Sequence, residues 1–146
     1  MSVPTVIDSD APIRIRREID VNAPLETVWR LHTDVNNWPA WQTEITEAQM
    51  DGAFQPGNSF TWTSYGFTVV STIYASTERA RTLWGGPAAG ITGVHEWIFS
   101  ETPAGAHVTT QESWAGQPVE ADITSMRTIL DTSLATWLKN LKAAAE

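Results

Sequence analysis

The sequence contains no cysteine, which excludes disulfide bonds, thiolate nucleophiles and cysteine-ligated metals. Only three histidines are present, His32, His95 and His107, and they lack the close spacing of an HExxH-type metal site. We therefore predict a protein without a built-in metal and without a cofactor.

Positive charge is also scarce, because 9 Lys and Arg residues stand against 17 Asp and Glu residues and the formal net charge is -8. A chain of this charge repels phosphate backbones, so we predict that nucleic acid is not a partner. No apolar run approaches the roughly 20 residues that span a bilayer, and the N-terminus lacks the apolar segment of a signal peptide. We expect a cytoplasmic protein without stable membrane insertion, either a monomer or a homodimer.

The length and composition are those of one globular domain. The chain has 146 residues, of which 42% are hydrophobic and 18% are charged. Its first eleven residues mix Pro, Ser and Asp without a periodic pattern, which predicts a flexible segment over 1–11. A single domain over 12–146 would follow.

The hydrophobic period changes in a consistent order along this domain. The stretch IRIRREIDV alternates like a half-buried strand, although Arg17 interrupts its apolar side. A short helix is predicted from Pro24, and repeated strands separated by turn signals extend to Gly116. Within this strand region, GGPAAG at 85–90 predicts a long hairpin loop. After Pro118, a helix of about 25 residues is predicted.

Side-chain parity in three hairpins predicts one sheet face that mixes tryptophans with small polar groups and faces the apolar arc of the last helix. The residues predicted to line the space between them are Trp62, Val69, Ser71, Ile73, Thr82, Trp84, Trp97, Phe99 and Thr110 of the sheet and Met126, Arg127, Leu130 and Trp137 of the helix. Large rings that alternate with small polar groups are typical of ligand cavities. A tryptophan-rich core with hydrogen-bonded hydroxyls is the alternative.

One candidate acid–base pair falls on the same face. His95 and Glu112 are predicted to lie opposite each other, where the carboxylate would fix the imidazole tautomer and raise its pKa. Alternatively, the two are a buried polar pair that satisfies itself or hydrogen-bonds a ligand. Arg17 and Arg127 are candidate partners for a ligand carboxylate or phenolate, unless they extend to the rim with their stems on apolar surface.

In the order of its elements and in five motifs, the chain resembles the START-like (SRPBCC, helix-grip) superfamily, in its polyketide cyclase/dehydrase and lipid-transport branch. The motifs are IDVNAPLETVWRLHTDVNNWPAWQ, PGNSFTW, VHEWIFSE, GAHVTTQESWAG and WLKNLKAAAE, and the resemblance covers nearly the whole chain after Ala11. It implies an α+β fold in which a strongly curved antiparallel sheet of about seven strands surrounds a long C-terminal helix, with two short helices after the first strand.

The resemblance also implies an internal cavity for a hydrophobic or aromatic molecule. It places the segment NNWPAWQ at one end of this cavity, where we expect Trp41 to be a cap and Trp38, which precedes a proline, to be an outer packing residue. Alternatively, both tryptophans only fix this turn against the first strand. In ligand-gated relatives the loop that corresponds to 85–90 forms a flap, so a mobile flap is expected here.

Two classes of function follow, because the superfamily includes carriers, receptors, cyclases and hydrolases. The first is a carrier or sensor that binds a lipid-like or polyketide-like molecule. The second is a polyketide cyclase, dehydratase or hydrolase that uses His95 and Glu112 as acid and base. Cyclase relatives tend to line the cavity with several polar and arginine groups, which favours the binding function for this chain. A protein-interaction role is a third, weaker possibility.

Overall fold

The computed structural model describes residues 3–146. Its strands are β1 Ile13–Val21, β2 Ile45–Gln49, β3 Ser59–Ser64, β4 Phe67–Thr77, β5 Arg81–Ala88, β6 Ile91–Thr102 and β7 Gly105–Ala115. Its helices are α1 Leu25–Thr33, a 3-10 helix Val35–Ala40, α2 Gln117–Ala121 and α3 Ile123–Ala145. The strands form one antiparallel sheet in the order β1-β7-β6-β5-β4-β3-β2, which confirms the predicted helix-grip fold. No helix within these residues is both long and apolar enough to cross a bilayer.

Local sequence explains where the helices begin and how they are held. Pro24 precedes α1, at a position where its missing N–H costs nothing. Asp122 caps α3 by accepting a hydrogen bond from the Ser125 backbone N–H. The 3-10 helix is tied to the end of β2 because the Asn36 side chain exchanges two hydrogen bonds with the backbone of Met50.

The C-terminal end of α3 is fastened to the end of β1 by polar contacts. Lys142 Nζ donates to the Asp20 carbonyl at 2.9 Å, and Glu146 Oε2 accepts from the Asn22 backbone N–H at 2.7 Å. The first turns of α3 are less covered, since Ile123 and Ile129 are 41% and 50% exposed. The long helix therefore packs firmly at one end and loosely at the other.

The strand registers confirm the predicted inner face. In the β6–β7 pair, His95, Trp97 and Phe99 lie opposite Glu112, Thr110 and Val108. In the β3–β4 pair, Trp62 lies opposite Val69.

The β4–β5 pair contains a bulge between Ile73 and Ala75, which parity alone does not predict. Ser71, Ile73, Thr82 and Trp84 are all buried despite this irregularity. The bulge therefore changes the pairing along the strand without turning these four side chains away from the interior.

The predicted long loop at 85–90 is wrong. Strand β5 extends to Ala88 and β6 begins at Ile91, so that only Ala89 and Gly90 form the turn, with φ values of 51° and 81°. Left-handed conformations at both positions are those of a tight two-residue hairpin turn. A Cβ on Gly90 would lie 3.2 Å from Pro118 Cγ, so the turn packs directly on the start of α2.

The buried apolar residues form two clusters of unequal size. The larger one joins the sheet to α1, the 3-10 helix and the C-terminal half of α3. The smaller one, which we call the mouth cluster, contains Ile13, Val119, Leu130 and Leu134, and the partly buried Ile15, Ile91, Trp114 and Met126 pack against it. The mouth cluster lies where the β5–β6 hairpin meets α2 and the first half of α3.

The N-terminal segment lies across the outer face of the sheet. The Asp8 backbone N–H donates to Ser113 Oγ at 2.9 Å, and Arg81 Nη2 donates to the Thr5 carbonyl at 2.8 Å. Residues 1 and 2 of the segment predicted to be flexible lie outside the described part of the chain. The flexibility of 1–11 stays a prediction.

Trp38 is a central core residue, so its predicted role as an outer packing residue is wrong. Its side chain is fully buried, and its ring centroid lies 5.1 Å from that of Trp137 and 5.2 Å from that of Phe60. Its Nε1–H donates to the His32 carbonyl at 3.0 Å. The following proline lies inside the 3-10 helix and does not turn the indole outward.

We predict that Trp38→Ala lowers the free energy of unfolding by about 3–5 kcal/mol, because it leaves a large cavity among rings that cannot collapse onto it. Phe67→Ala is the control, since that ring is 60% exposed and its removal should cost less than about 0.5 kcal/mol. Urea unfolding of both variants measures the difference. A cost below about 1 kcal/mol for Trp38→Ala would contradict this central role.

Candidate functional site

Four rings from the sheet and α3 meet at the centre of the inner face, and we call them the aromatic box. They are Trp84 of β5, His95 and Trp97 of β6, and Trp137 of α3. The His95 ring centroid lies 4.7 Å from that of Trp84 and 5.1 Å from that of Trp97, and the Trp97 and Trp137 centroids are 5.6 Å apart. Trp137 meets Trp84, His95 and Trp97 edge-to-face, which is a favourable geometry for aromatic rings.

His95 lies between two polar partners in the box. Its Nδ1 is 3.1 Å from Glu112 Oε1, and its Nε2 is 2.7 Å from Thr110 Oγ1. The other carboxyl oxygen of Glu112 accepts from Trp114 Nε1–H at 2.7 Å. Gly93 on β6 leaves room for this carboxyl group, because a Cβ there would lie 3.2 Å from Glu112 Oε2.

The hydrogen bonds around His95 have a consistent direction. The Thr110 hydroxyl donates to the Glu96 carbonyl at 3.2 Å, so its oxygen is free to accept from a protonated His95 Nε2. His95 Nδ1 is then an acceptor when the ring is neutral, and a protonated Glu112 is the group that donates to it. The resulting chain runs from the Glu112 carboxyl through His95 and Thr110 to a backbone carbonyl.

Burial favours this neutral form of the pair. Desolvation raises the pKa of Glu112 to about 7, although the hydrogen bond from Trp114 acts in the opposite direction. Desolvation also holds the pKa of His95 well below its ordinary value, with a smaller lowering contribution from His32. The predicted increase in the pKa of His95 is therefore wrong, because the cost of burying the imidazolium outweighs the attraction of the carboxylate.

A second buried histidine lies on the α1 side of the box. His32 is fully buried, its Nε2 is 2.7 Å from Thr82 Oγ1, and its ring centroid is 4.8 Å from that of Trp97. Desolvation lowers the pKa of His32 to about 3. Helical spacing places His32 on the inner side of α1, but the sequence alone gives no sign of the hydroxyl on β5 that receives it.

Several polar atoms in this interior have no hydrogen-bond partner among residues 3–146. They are the indole Nε1 of Trp41, Trp84 and Trp97, Gln42 Nε2 and His32 Nδ1. A buried donor without an acceptor costs about 1–3 kcal/mol, so such atoms are uncommon unless they serve a ligand or store strain. Gln42 is not among the residues predicted from the sequence, and its fully buried side chain accepts from Asn140 through Oε1.

The remaining residues predicted to bind a ligand occupy different parts of the interior. Phe99 packs against Trp29 of α1, with ring centroids 5.3 Å apart. Trp41 packs against Trp137 at 5.8 Å. Trp62 and Val69 are half-buried near the sheet edge, where Trp62 Nε1–H donates to Ser71 Oγ. Met126 and Leu130 belong to the mouth cluster.

The two arginines predicted to face a ligand do not reach the interior. Arg17 makes a two-point ion pair with Asp131 of α3 at 2.7 and 3.0 Å, on the surface. Arg127 is exposed, although it is seven residues from the buried Leu134 and therefore on nearly the same side of α3. Ile123 and Ile129 in the same turns of the helix are also exposed, so position on the helical wheel alone gives a wrong prediction there.

Contacting rings fill the centre of the space where the cavity was predicted. Two hollows lie at the surface instead, one of about 340 Å³ lined by residues that include Trp29, Phe54 and Pro56, and one of about 330 Å³ lined by residues that include Val21 and Pro103. Neither is lined by a residue predicted to bind a ligand.

The sequence matches the family described as "Polyketide cyclase / dehydrase and lipid transport" over residues 12–146. No curated protein matches it.

Solved structures share the fold at low sequence identity. A hypothetical protein of Helicobacter pylori aligns over 100% of this chain and 99% of its own, with a TM-score of 0.82 and 18% identity. A START superfamily protein of Mycobacterium smegmatis aligns over 90% and 96%, with a TM-score of 0.75 and 12% identity. DynU16, a protein in the dynemicin biosynthetic locus, aligns over 89% of this chain but only 46% of its own, with a TM-score of 0.71 and 18% identity.

We predict that Glu112→Gln removes a pH-dependent destabilisation. Between the ordinary pKa of 4.5 and about 7, the folded state keeps the Glu112 proton and the unfolded state loses it, so stability falls as the pH rises. A glutamine amide can donate to His95 and accept from Trp114 without titrating. The unmodified protein should therefore lose stability relative to the variant as the pH rises. The difference between their unfolding free energies should change by up to about 3 kcal/mol between pH 4.5 and 7, in favour of the variant.

Urea unfolding of both proteins at several pH values measures this difference. His32 and His95 titrate in both proteins, so their contributions largely cancel in the comparison. Gln117→Ala, which changes no titratable group, should keep the pH dependence of the unmodified protein. A difference between Glu112→Gln and the unmodified protein that is independent of pH would contradict the raised pKa.

Proposed function

The chain belongs to the polyketide cyclase/dehydrase and lipid transport family, and we propose that it binds a small hydrophobic or aromatic molecule between its sheet and α3, as a carrier or sensor. The observation that carries this proposal is the set of buried N–H groups without partners around the aromatic box. A core selected only for stability would avoid such groups, because each lowers stability by about 1–3 kcal/mol. A ligand that accepts these hydrogen bonds would recover that free energy on binding.

The route into the box is proposed to be the mouth cluster. It is the smaller of the two apolar clusters, and the first turns of α3 beside it are partly exposed. Elements held by few buried contacts open at lower free energy than the rest of a domain. Movement of the β5–β6 hairpin away from α2 would separate Gly90 from Pro118 and expose the Glu112 side of the box.

An enzyme is the second candidate, and the hydrogen-bonded chain at His95 favours it. Glu112 with a pKa of about 7 can hold or release a proton near neutral pH, which is what a general acid or base requires. His95 would transmit that proton or orient the carbonyl of a bound polyketide-like chain. This candidate needs the same opening of the mouth cluster as the binding function.

We expect native mass spectrometry of freshly purified protein, followed by a screen of flat aromatic and lipid ligands, to identify a bound molecule. Binding should quench the fluorescence of the box tryptophans and slow hydrogen exchange at 85–94 and 117–130, with little change at 135–145. Trp41→Ala should weaken binding and lower the melting temperature. If no ligand binds and the fluorescence of the tryptophans does not respond, the box is a packed core and the proposed function fails.

For the enzyme candidate, we expect His95→Asn to reduce the turnover of an identified substrate by about 10²-fold or more while binding persists. The pH–rate profile of the unmodified protein should show a group that titrates near pH 7, and Glu112→Gln should remove it. Full turnover by His95→Asn would eliminate the catalytic role and leave the binding function intact.

A further inference from the structure

Among residues 3–146, no cationic side chain lies in the interior around the aromatic box. All nine Lys and Arg residues lie within the described part of the chain, and each is exposed or half-buried. The least exposed of them, Arg81, pairs with Glu96 on the outer face of the sheet at 2.6 Å. Arg17 is occupied by Asp131 at the surface.

The polar groups that do face the interior are mainly neutral N–H donors. The indole N–H groups of Trp84 and Trp97 lie in the box itself, and that of Trp41 lies on the ring that packs against Trp137. The amide of Gln42, whose Oε1 accepts from Asn140, is a further donor without a partner. Glu112 is the acidic side chain at the box, where it lies against His95 and Trp114. The site therefore offers hydrogen-bond donors and flat ring surfaces but no compensating positive charge.

This combination discriminates between ligands by charge. An anion such as a fatty-acid carboxylate would lose its hydration, at an effective cost of several kcal/mol, and would meet no cation. It would also lie near Glu112 and oppose the ionisation of that group. A cationic amine would also lose its hydration, and both oxygens of the Glu112 carboxyl group near it are already engaged by His95 and Trp114. A ketone or quinone oxygen accepts from an indole N–H without burying a net charge.

We infer that the site selects an uncharged, flat aromatic ligand that carries ketone or quinone oxygens, in preference to fatty acids and other anions. The inference rests on the proposed binding function and deepens it by naming the class of ligand. Trp84 and Trp97 are the donors that recognise the oxygen, and the ring of Trp137, which meets Trp97 at 74°, packs against one flat face of the ligand.

A matched set of probes tests this preference. 2-Acetylnaphthalene, 2-naphthoate and 2-(aminomethyl)naphthalene share one ring system and differ in charge. Nitrogen-15 NMR follows the indole N–H signals of the eight tryptophans, and Trp84→Phe and Trp97→Phe assign two of them. We expect the ketone to bind at least tenfold more tightly than the carboxylate or the amine, and to shift the Trp84 or Trp97 signal downfield.

A second comparison isolates the hydrogen bond from hydrophobic contact. 2-Isopropylnaphthalene has nearly the shape of the ketone but no acceptor. Trp97→Phe should weaken binding of the ketone about fivefold, the effect of one net hydrogen bond, and leave binding of the hydrocarbon nearly unchanged. Equal losses for both probes in both Trp→Phe variants would overturn the recognition of an oxygen.

The outcomes separate this inference from the proposed function. Equal or tighter binding of the carboxylate or the amine overturns the charge preference but leaves the binding function in place. These probes could fail to bind while native mass spectrometry identifies another ligand. In that case, an uncharged ligand with a hydrogen-bond acceptor supports the inference, and an anionic ligand overturns it. If nothing binds at all, the proposed function and the inference both fail.

Discussion

Trp137 of α3 makes the contacts on which the rest of the interior depends. Its ring centroid lies within 6.4 Å of those of Trp38, Trp41, Trp84, His95 and Trp97. These residues come from the 3-10 helix, the segment after it and two central strands. One side chain therefore sets the distance between the helical layer and the sheet, and a ligand in the aromatic box would have to compete with it. The proposed binding would consequently act against the ring contacts that stabilise the fold.

The polar groups in this interior are of two kinds, and the difference has functional meaning. His95, Thr110, Glu112 and Trp114 satisfy one another in a continuous chain of hydrogen bonds, which fixes the ring and carboxyl orientations. The indoles of Trp84 and Trp97 touch the same rings without finding an acceptor. A set of oriented groups beside unpaired donors is a preorganised arrangement, since a bound molecule could use the donors without reorienting the histidine.

Much of this arrangement is predictable from the sequence, because strand parity and helical period are local properties. The opposition of His95 and Glu112 follows from counting residues across a short turn, and the burial of Leu130 and Trp137 follows from the helical wheel. The errors arise where tertiary packing overrides local pattern. Glycines at 85–90 suggest a loop, yet close pairing of Gly85 with the Gly93 region keeps them in a hairpin. Arg127 has the angular position of a core residue, yet it lies in the first turns of α3, where Ile123 and Ile129 are also exposed.

The strand register places His95 opposite Glu112 but gives no information about hydration, and the direction of the pKa shift at His95 depends on hydration. Opposing a carboxylate and an imidazole suggests an ion pair, which would raise the pKa of the histidine. The interior that the sheet and α3 build is dry enough to reverse this, because two buried charges lose more hydration than their attraction returns. The same lack of hydration makes neutral donors the proposed recognition groups and is consistent with the positions of all nine Lys and Arg residues outside the interior. The chemistry available at the site is thus set by the tryptophans that exclude water, more than by the identity of the acid–base pair itself.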